Sequence, residues 1–143
     1  MQLHDEKIIT IEFNYKEKNC FLSLYEKDND EIYKKIKEKL INEQIYNFIQ
    51  VRENLLVTKN MDYTYFFEIN TLSLIKKITY LSRNNVLVLL NKNYLLLNSL
   101  SGSYNMFNLI DIDSMELIKH YSKKELKRLK NKIPASIIPT DII

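Results

Sequence analysis

The residues that could do chemistry are few and far apart. His4 and His120 are the only histidines and Cys20 the only thiol. A structural zinc site takes four Cys or His ligands, usually in close pairs, and no such pairs exist here. A cysteine nucleophile needs a base within reach. Cys20, however, shares the apolar side of the run CFLSLYE with Leu22 and Leu24, the place of a buried thiol. Gly102 is the single glycine, which excludes both the Walker-type and the dinucleotide-type phosphate loops, whose backbones approach the anion at several glycines. The carboxylates of EKDNDE, Glu26–Glu31, read as a solvated loop, and Ser101-Gly102-Ser103 as a turn. The expectation is a protein that is no enzyme and holds no metal or cofactor.

Positive charge is the other chemical resource. Between Asp113 and Ile133 stand seven basic and three acidic residues, a net of +4 in a chain whose total is +3. On a helical wheel Met115, Leu126, Leu129 and Ile133 cluster, with lysines and Arg128 opposite. Lys123, Lys124, Lys127, Arg128, Lys130 and Lys132 are then the residues that would meet phosphates or an anionic membrane. Against this stands a bias toward Asn, Lys, Ile and Tyr throughout the chain, the bias of AT-rich coding sequence, which puts lysines on any solvated face. The ten tyrosines could stack on bases, yet most fall on predicted strand faces, where they would pack.

The elements that must position these groups are mostly strands. The chain of 143 residues, 45% apolar and 27% charged, suits one globular domain. It holds no apolar run long enough for a transmembrane helix, and its start lacks the pattern of a signal peptide. With one cysteine, an intracellular, cytoplasmic address is expected. Alternation puts Ile9, Ile11, Phe13 and Tyr15 on one face of a strand that pairs with CFLSLYE in a hairpin. Ile32, Ile36 and Leu40 recur at helical spacing, and Asp30 can cap the start, so a helix is expected over 31–42, then a strand over 45–51. Further on, LLVTK, YTYFFEI, LSLIKKITYLS, VLVLL, YLLLNS and YNMFNLIDI are short runs separated by NMD, RNN, NKN and LSGS. Tyr63, Tyr65, Phe67 and Ile69 share a face. With a single glycine, Asn is expected at the left-handed turn positions. Possible capping boxes at Asp113/Glu116 and Ser122/Glu125 point to a C-terminal helix that Pro134 ends.

Two stretches echo each other. EINTLSLIKKI, from Glu68, and DIDSMELIKHY, from Asp111, each carry an acid, an isoleucine, a polar turn and Leu-Ile-Lys, with Ile69 and Ile112 43 residues apart. FLSLYEKDNDEIYKKI also lies over YTYFFEINTLSLIKKI at an offset of 42. A period of 40–45 residues with four short strands is that of a propeller blade. The acid-isoleucine step followed by ELIK resembles WD40-type propeller repeats, over about residues 7–121. The Trp-Asp dipeptide and the Gly-His pair of those repeats are absent, so the family's buried His–Asp network has no counterpart.

The expected fold is therefore mainly β: antiparallel propeller-like blades over 1–121, then a basic helix and extended tail over 122–143. The rival is a compact α+β domain with an antiparallel meander and two helices. What the resemblance implies is a protein–protein interaction module or subunit of a larger assembly, recognising a partner through loops on a β scaffold. One rim would then carry Asn60, Met61, Asp62, Arg83, Asn84, Asn85, Ser101, Gly102 and Ser103. The alternative is a small nucleic-acid-associated or viral-type α+β protein that uses its basic tail. Three blades cannot close a ring and would leave sheet edges open, so a protein partner or self-association is expected.

Overall fold

The structure, a computed structural model, describes residues 1–79, 85–101, 104–122 and 124–125. It is mainly β and antiparallel, with eleven strands among the described residues. The chain divides into two compact units, Met1–Lys77 and Ile78–Ile143. Among the described residues no helix is long and apolar enough to cross a membrane.

In the first unit β1 (Ile8–Asn14), β2 (Asn19–Lys27) and β3 (Tyr33–Ile41) form a three-stranded meander. Next come β4 (Tyr46–Arg52), β5 (Leu55–Lys59), β6 (Tyr63–Glu68) and β7 (Ser73–Thr79), a four-stranded meander in simple order. The two sheets share one core. Ile9, Cys20, Leu22 and Leu24 come from the first sheet and Leu56, Tyr65, Phe67 and Ile69 from the second, with Tyr63 packed against them. Leu56 apart, these residues lie on faces the alternation picked out, and burying each such side chain is worth about 1.5–3 kcal/mol. The opposite face of the second sheet, with Val51, Leu55, Val57 and Phe66, is buried as well.

In the second unit β8 (Asn85–Asn91), β9 (Tyr94–Ser101), β10 (Tyr104–Asp111) and β11 (Glu116–Ser122) repeat the four-stranded meander. Leu96 and Phe107 form a small core with Val88, Leu90, Leu109 and Tyr121 around it.

The sequence echo is an echo of local structure. Ile69 N–H donates to the Asn54 carbonyl at 3.0 Å, and Ile112 N–H to the Asn93 carbonyl at 2.9 Å. The Glu68 carboxylate accepts from the Asn70 and Thr71 amides at 3.2 and 2.6 Å, and the Asp111 carboxylate from the Ser114 amide at 2.8 Å. Leu72 and Met115, 43 residues apart, both stand at φ 54°. The acid is conserved between the two turns because it satisfies their free amides, and the isoleucine because it closes the hairpin and is buried.

Three expectations need correction. The segment 31–42 is no helix: it is β3, in register with β2 from Cys20↔Ile41 to Lys27↔Tyr33. A four-residue spacing fits a strand face as well as a helix, and as an edge strand β3 is exposed on both sides, so no alternation betrayed it. The α+β rival loses that helix. No helix starts at Asp113, because the chain reverses there, with Met115 left-handed, and Glu116 opens β11. Nor does asparagine fill the left-handed positions among the described residues. Of Glu6, Lys18, Glu31, Asn47, Leu72 and Met115, which have positive φ, one is Asn. Asn14, Asn60 and Asn91 serve instead by their side chains, each accepting from the backbone amides of its own turn.

The box at Ser122/Glu125 does form. The Ser122 amide donates to Glu125 Oε2 at 2.7 Å and the Glu125 amide to Ser122 Oγ at 3.3 Å, and the backbone is helical at Lys124 and Glu125. The rest of the expected basic helix lies outside the described residues.

Candidate functional site

Three connections meet at one end of the first unit. β1 ends at Asn14 and β2 begins at Asn19, its hairpin partner. β3 ends with Ile41 opposite Cys20, and β4 begins with Tyr46 opposite Lys59, the last residue of β5. The β1–β2 turn, the β3–β4 link and the β5–β6 turn therefore lie side by side.

Asn60 organises the third of these. Its side-chain oxygen accepts from the Asp62 and Tyr63 amides at 2.9 and 2.7 Å, and its own amide donates to the Tyr63 carbonyl. The side-chain nitrogen reaches the other way. It donates to Glu43 Oε2 at 3.0 Å and to the Tyr65 hydroxyl at 2.8 Å. Tyr65 in turn donates to the same Glu43 oxygen. Lys77 Nζ closes the network at 2.6 Å from Glu43 Oε1, standing 3.7 Å from the Tyr63 ring centre as a cation over an aromatic face. Burial pushes the Glu43 carboxyl up, but Lys77, Tyr65 and Asn60 outweigh it and hold the group below the usual carboxylate range. Burial and the Glu43 carboxylate push the Tyr65 hydroxyl far above the usual phenol range. At neutral pH a phenol that stays protonated beside a carboxylate that stays ionised is a fixed strut, with no proton to give.

Outside the strut the surface is aromatic. Phe13 stacks on Tyr15 with ring centres 6.0 Å apart and planes 30° apart, and on Tyr46 at 6.2 Å and 28°. Phe13 and Tyr46 are each 39% exposed, Tyr15 78% and Met61 52%. Beside them a shallow groove of about 220 Å³ is lined by Lys18, Gln44, Tyr46, Asn60, Met61 and Asp62.

Of the residues expected from sequence, Asn60, Met61 and Asp62 are brought together in this groove. Asn85 opens β8 and Ser101 ends β9; register places Asn85 opposite Ser99, two residues from Ser101, at one end of the second unit's sheet. Arg83, Asn84, Gly102 and Ser103 lie outside the described residues, as do Lys123, Lys127, Arg128, Lys130 and Lys132. Lys124 is exposed at the helical turn. Cys20 is fully buried, as expected, its Sγ donating to the Glu43 carbonyl at 3.3 Å. Phe13, Tyr15, Tyr46 and Glu43 were not foreseen. The one available signal was that the face Ile9-Ile11-Phe13-Tyr15 continues past the turn-forming Asn14, beyond the reach of the core.

Compared with known proteins, the chain matches no family model and shows no significant similarity to a curated protein.

Proposed function

We propose that the chain is a non-enzymatic protein–protein interaction module, a subunit of a larger assembly, that recognises its partner through the loop end of the first unit. The observation that carries this reading is the exposed apolar group Phe13, Tyr15, Tyr46 and Met61 around an open groove. Water covers such a patch badly, and large rings on a rigid scaffold are the usual anchors of binding. The strut beneath it, built from Glu43, Asn60, Tyr65 and Lys77, holds the groove's Asn60 turn in place before any partner arrives.

The scaffold is read as propeller-like blades. Support comes from the two meanders of simple order and from how the first two sheets stack. Leu22 and Leu24 match Thr64 and Phe66 at the 42-residue offset, yet they face Tyr65 and Phe67 in the shared core. The back of one sheet therefore meets the front of the next, the stacking that successive blades require.

Selection from a displayed peptide library against the immobilised chain tests the reading. Ligands should be recovered that compete for one surface and are lost in Tyr15→Ser and Met61→Ser. Ligands indifferent to both changes, or turnover by the purified chain on phosphate, ester or glycoside substrates, would refute it.

A second reading, nucleic-acid binding by the basic tail, is favoured by the Ser122–Glu125 box, which gives a helical turn at Lys124 and Glu125. Labelled RNA and DNA titrated at two salt concentrations should then lose affinity steeply with salt and lose it altogether without residues 122–143. Binding indifferent to that truncation refutes it.

A further inference from the structure

We infer that the free edge of β3 is a second docking surface, separate from the groove end, and that its occupant is an extended acidic segment that adds to the first sheet as a further strand. The edge itself is the first ground. Strand order in this sheet is β1-β2-β3. The β1 side is closed by residues 1–3: Gln2 bridges Ile8, Ile9 N–H donates to the Met1 carbonyl at 2.9 Å, and Leu3 N–H donates to the Lys7 carbonyl at 2.7 Å. Among the described residues no strand pairs with the far side of β3, and residues 34–40 are exposed apart from half-buried Lys39. Alternate residues of such a strand turn an N–H and a C=O outward, a template for one more strand. Ile36 is a bulge between the registers of Lys35 and Lys37, so the regular part of the template is residues 37–41.

Charge says which strand fits. Lys34 is tied to Asp28 at 2.5 Å, and Lys35 to Glu38 and Glu12. Lys37 has no acceptor among the described residues, and Lys39 has only the face of the Phe67 ring, 5.8 Å away. Their register opposite Leu24 and Leu22 puts both on one face of β3, two residues and about 6.8 Å apart. Carboxylates two residues apart on an added strand have the same spacing, so each stands opposite a lysine, a favourable cross-strand pair. Leu40, 47% exposed on the other face, takes an apolar neighbour. The outer edge of the second sheet lacks these free cations, since Lys76 and Lys77 of β7 both have partners.

The same features disfavour other occupants. A second copy added antiparallel about Glu38 sets Lys37 against Lys39 twice, and one added about Lys37 or Lys39 sets a lysine against itself. A phosphate of nucleic acid or lipid accepts hydrogen bonds and donates none, so the outward carbonyls of β3 would go unanswered. A peptide backbone answers both the N–H and the C=O groups.

The test is fluorescence anisotropy with a labelled peptide of about eight residues, threonine and valine with two glutamates placed two residues apart. It is compared with the same peptide carrying lysines for glutamates, with two peptides N-methylated at alternate amides, and with labelled oligothymidylate. The glutamate peptide should saturate and the lysine peptide should not. Alternate amides of an added strand face β3, so one N-methylated peptide should lose binding and the other keep it. Lys37→Glu together with Lys39→Glu turns two attractions into repulsions and should weaken binding about fivefold or more. That variant should instead bind the lysine peptide, which shows that it is folded. Lys16→Glu, the same charge reversal in the exposed β1–β2 turn, should leave binding within about twofold. No saturation by about 1 mM overturns the proposal, as do equal binding of the two N-methylated peptides and a double variant that binds the glutamate peptide as before. Oligothymidylate binding lost in the double variant would make nucleic acid the occupant and overturn it too. Library selection at the groove end, run with the glutamate peptide in excess, keeps the two surfaces apart, so each reading fails separately.

Discussion

Replacing Tyr65 with phenylalanine removes one hydroxyl and leaves the ring on Phe67, 6.2 Å away. That hydroxyl donates to the Glu43 carboxylate and accepts from Asn60 Nδ2 at 2.8 Å. A hydrogen bond to a charged partner contributes about 1.5–3 kcal/mol. The Lys77 and Glu43 side chains are 33% and 37% exposed, so water can take up part of what the carboxylate loses, and the lower half of that range applies. The expected cost is about 1.5–2 kcal/mol, or ~5–7 °C in Tm for a chain of this size. The pH dependence identifies the mechanism. Glu43 is held below its ordinary range in the folded chain, so its contribution is full above the ordinary carboxylate pKa of ~4.3 and is lost as pH falls below it. The Tyr65→Phe penalty should therefore be largest at neutral pH and shrink in acid. Urea unfolding followed by circular dichroism at several pH values measures both, and Glu43→Gln should reduce the penalty in a double-mutant cycle. A penalty under about 0.5 kcal/mol, or one that is the same in acid, would refute the strut.

The twin turns give a paired outcome. Met115→Gly relieves a left-handed, half-buried residue and should stabilise by up to ~1 kcal/mol, whereas Leu72→Gly deletes a fully buried side chain and should cost about 2–5 kcal/mol, both read by chemical denaturation; the reverse order would refute the account. Thr58 buries a hydroxyl that has no hydrogen-bond partner among the described residues, so Thr58→Val should leave stability unchanged or raise it by ~1 kcal/mol, and a loss would mean that the hydroxyl is used. Burial pushes the Cys20 thiol above its usual range, with the Ile45 amide acting weakly against it, so a thiol reagent at neutral pH should label Cys20 at the rate of unfolding. Immediate labelling of the native chain would contradict that burial.

Much of the scaffold was legible because strand burial has a period of two. Ile9, Cys20, Leu22, Leu24, Tyr65, Phe67 and Ile69 were read on their faces, and they are the shared core. The acid-isoleucine echo was legible because a turn that must satisfy the same amides selects the same residues twice. Asn60, Met61 and Asp62 were legible as a turn between two strands.

What the tertiary structure alone decided is where periodicity falls silent or means two things. Ile32, Ile36 and Leu40 fit a helix and a strand equally, and only pairing with β2 chose the strand. Phe13 and Tyr15 continue a buried pattern, yet they lie where the core has ended, so the same alternation yields an exposed ladder. Tyr46 joins them from the start of β4, and Lys77 reaches Glu43 across 34 positions. A sequence read alone records residue type and local spacing. The distance between side chains far apart in the chain is set by strand register and sheet stacking, and the groove exists at no lower level.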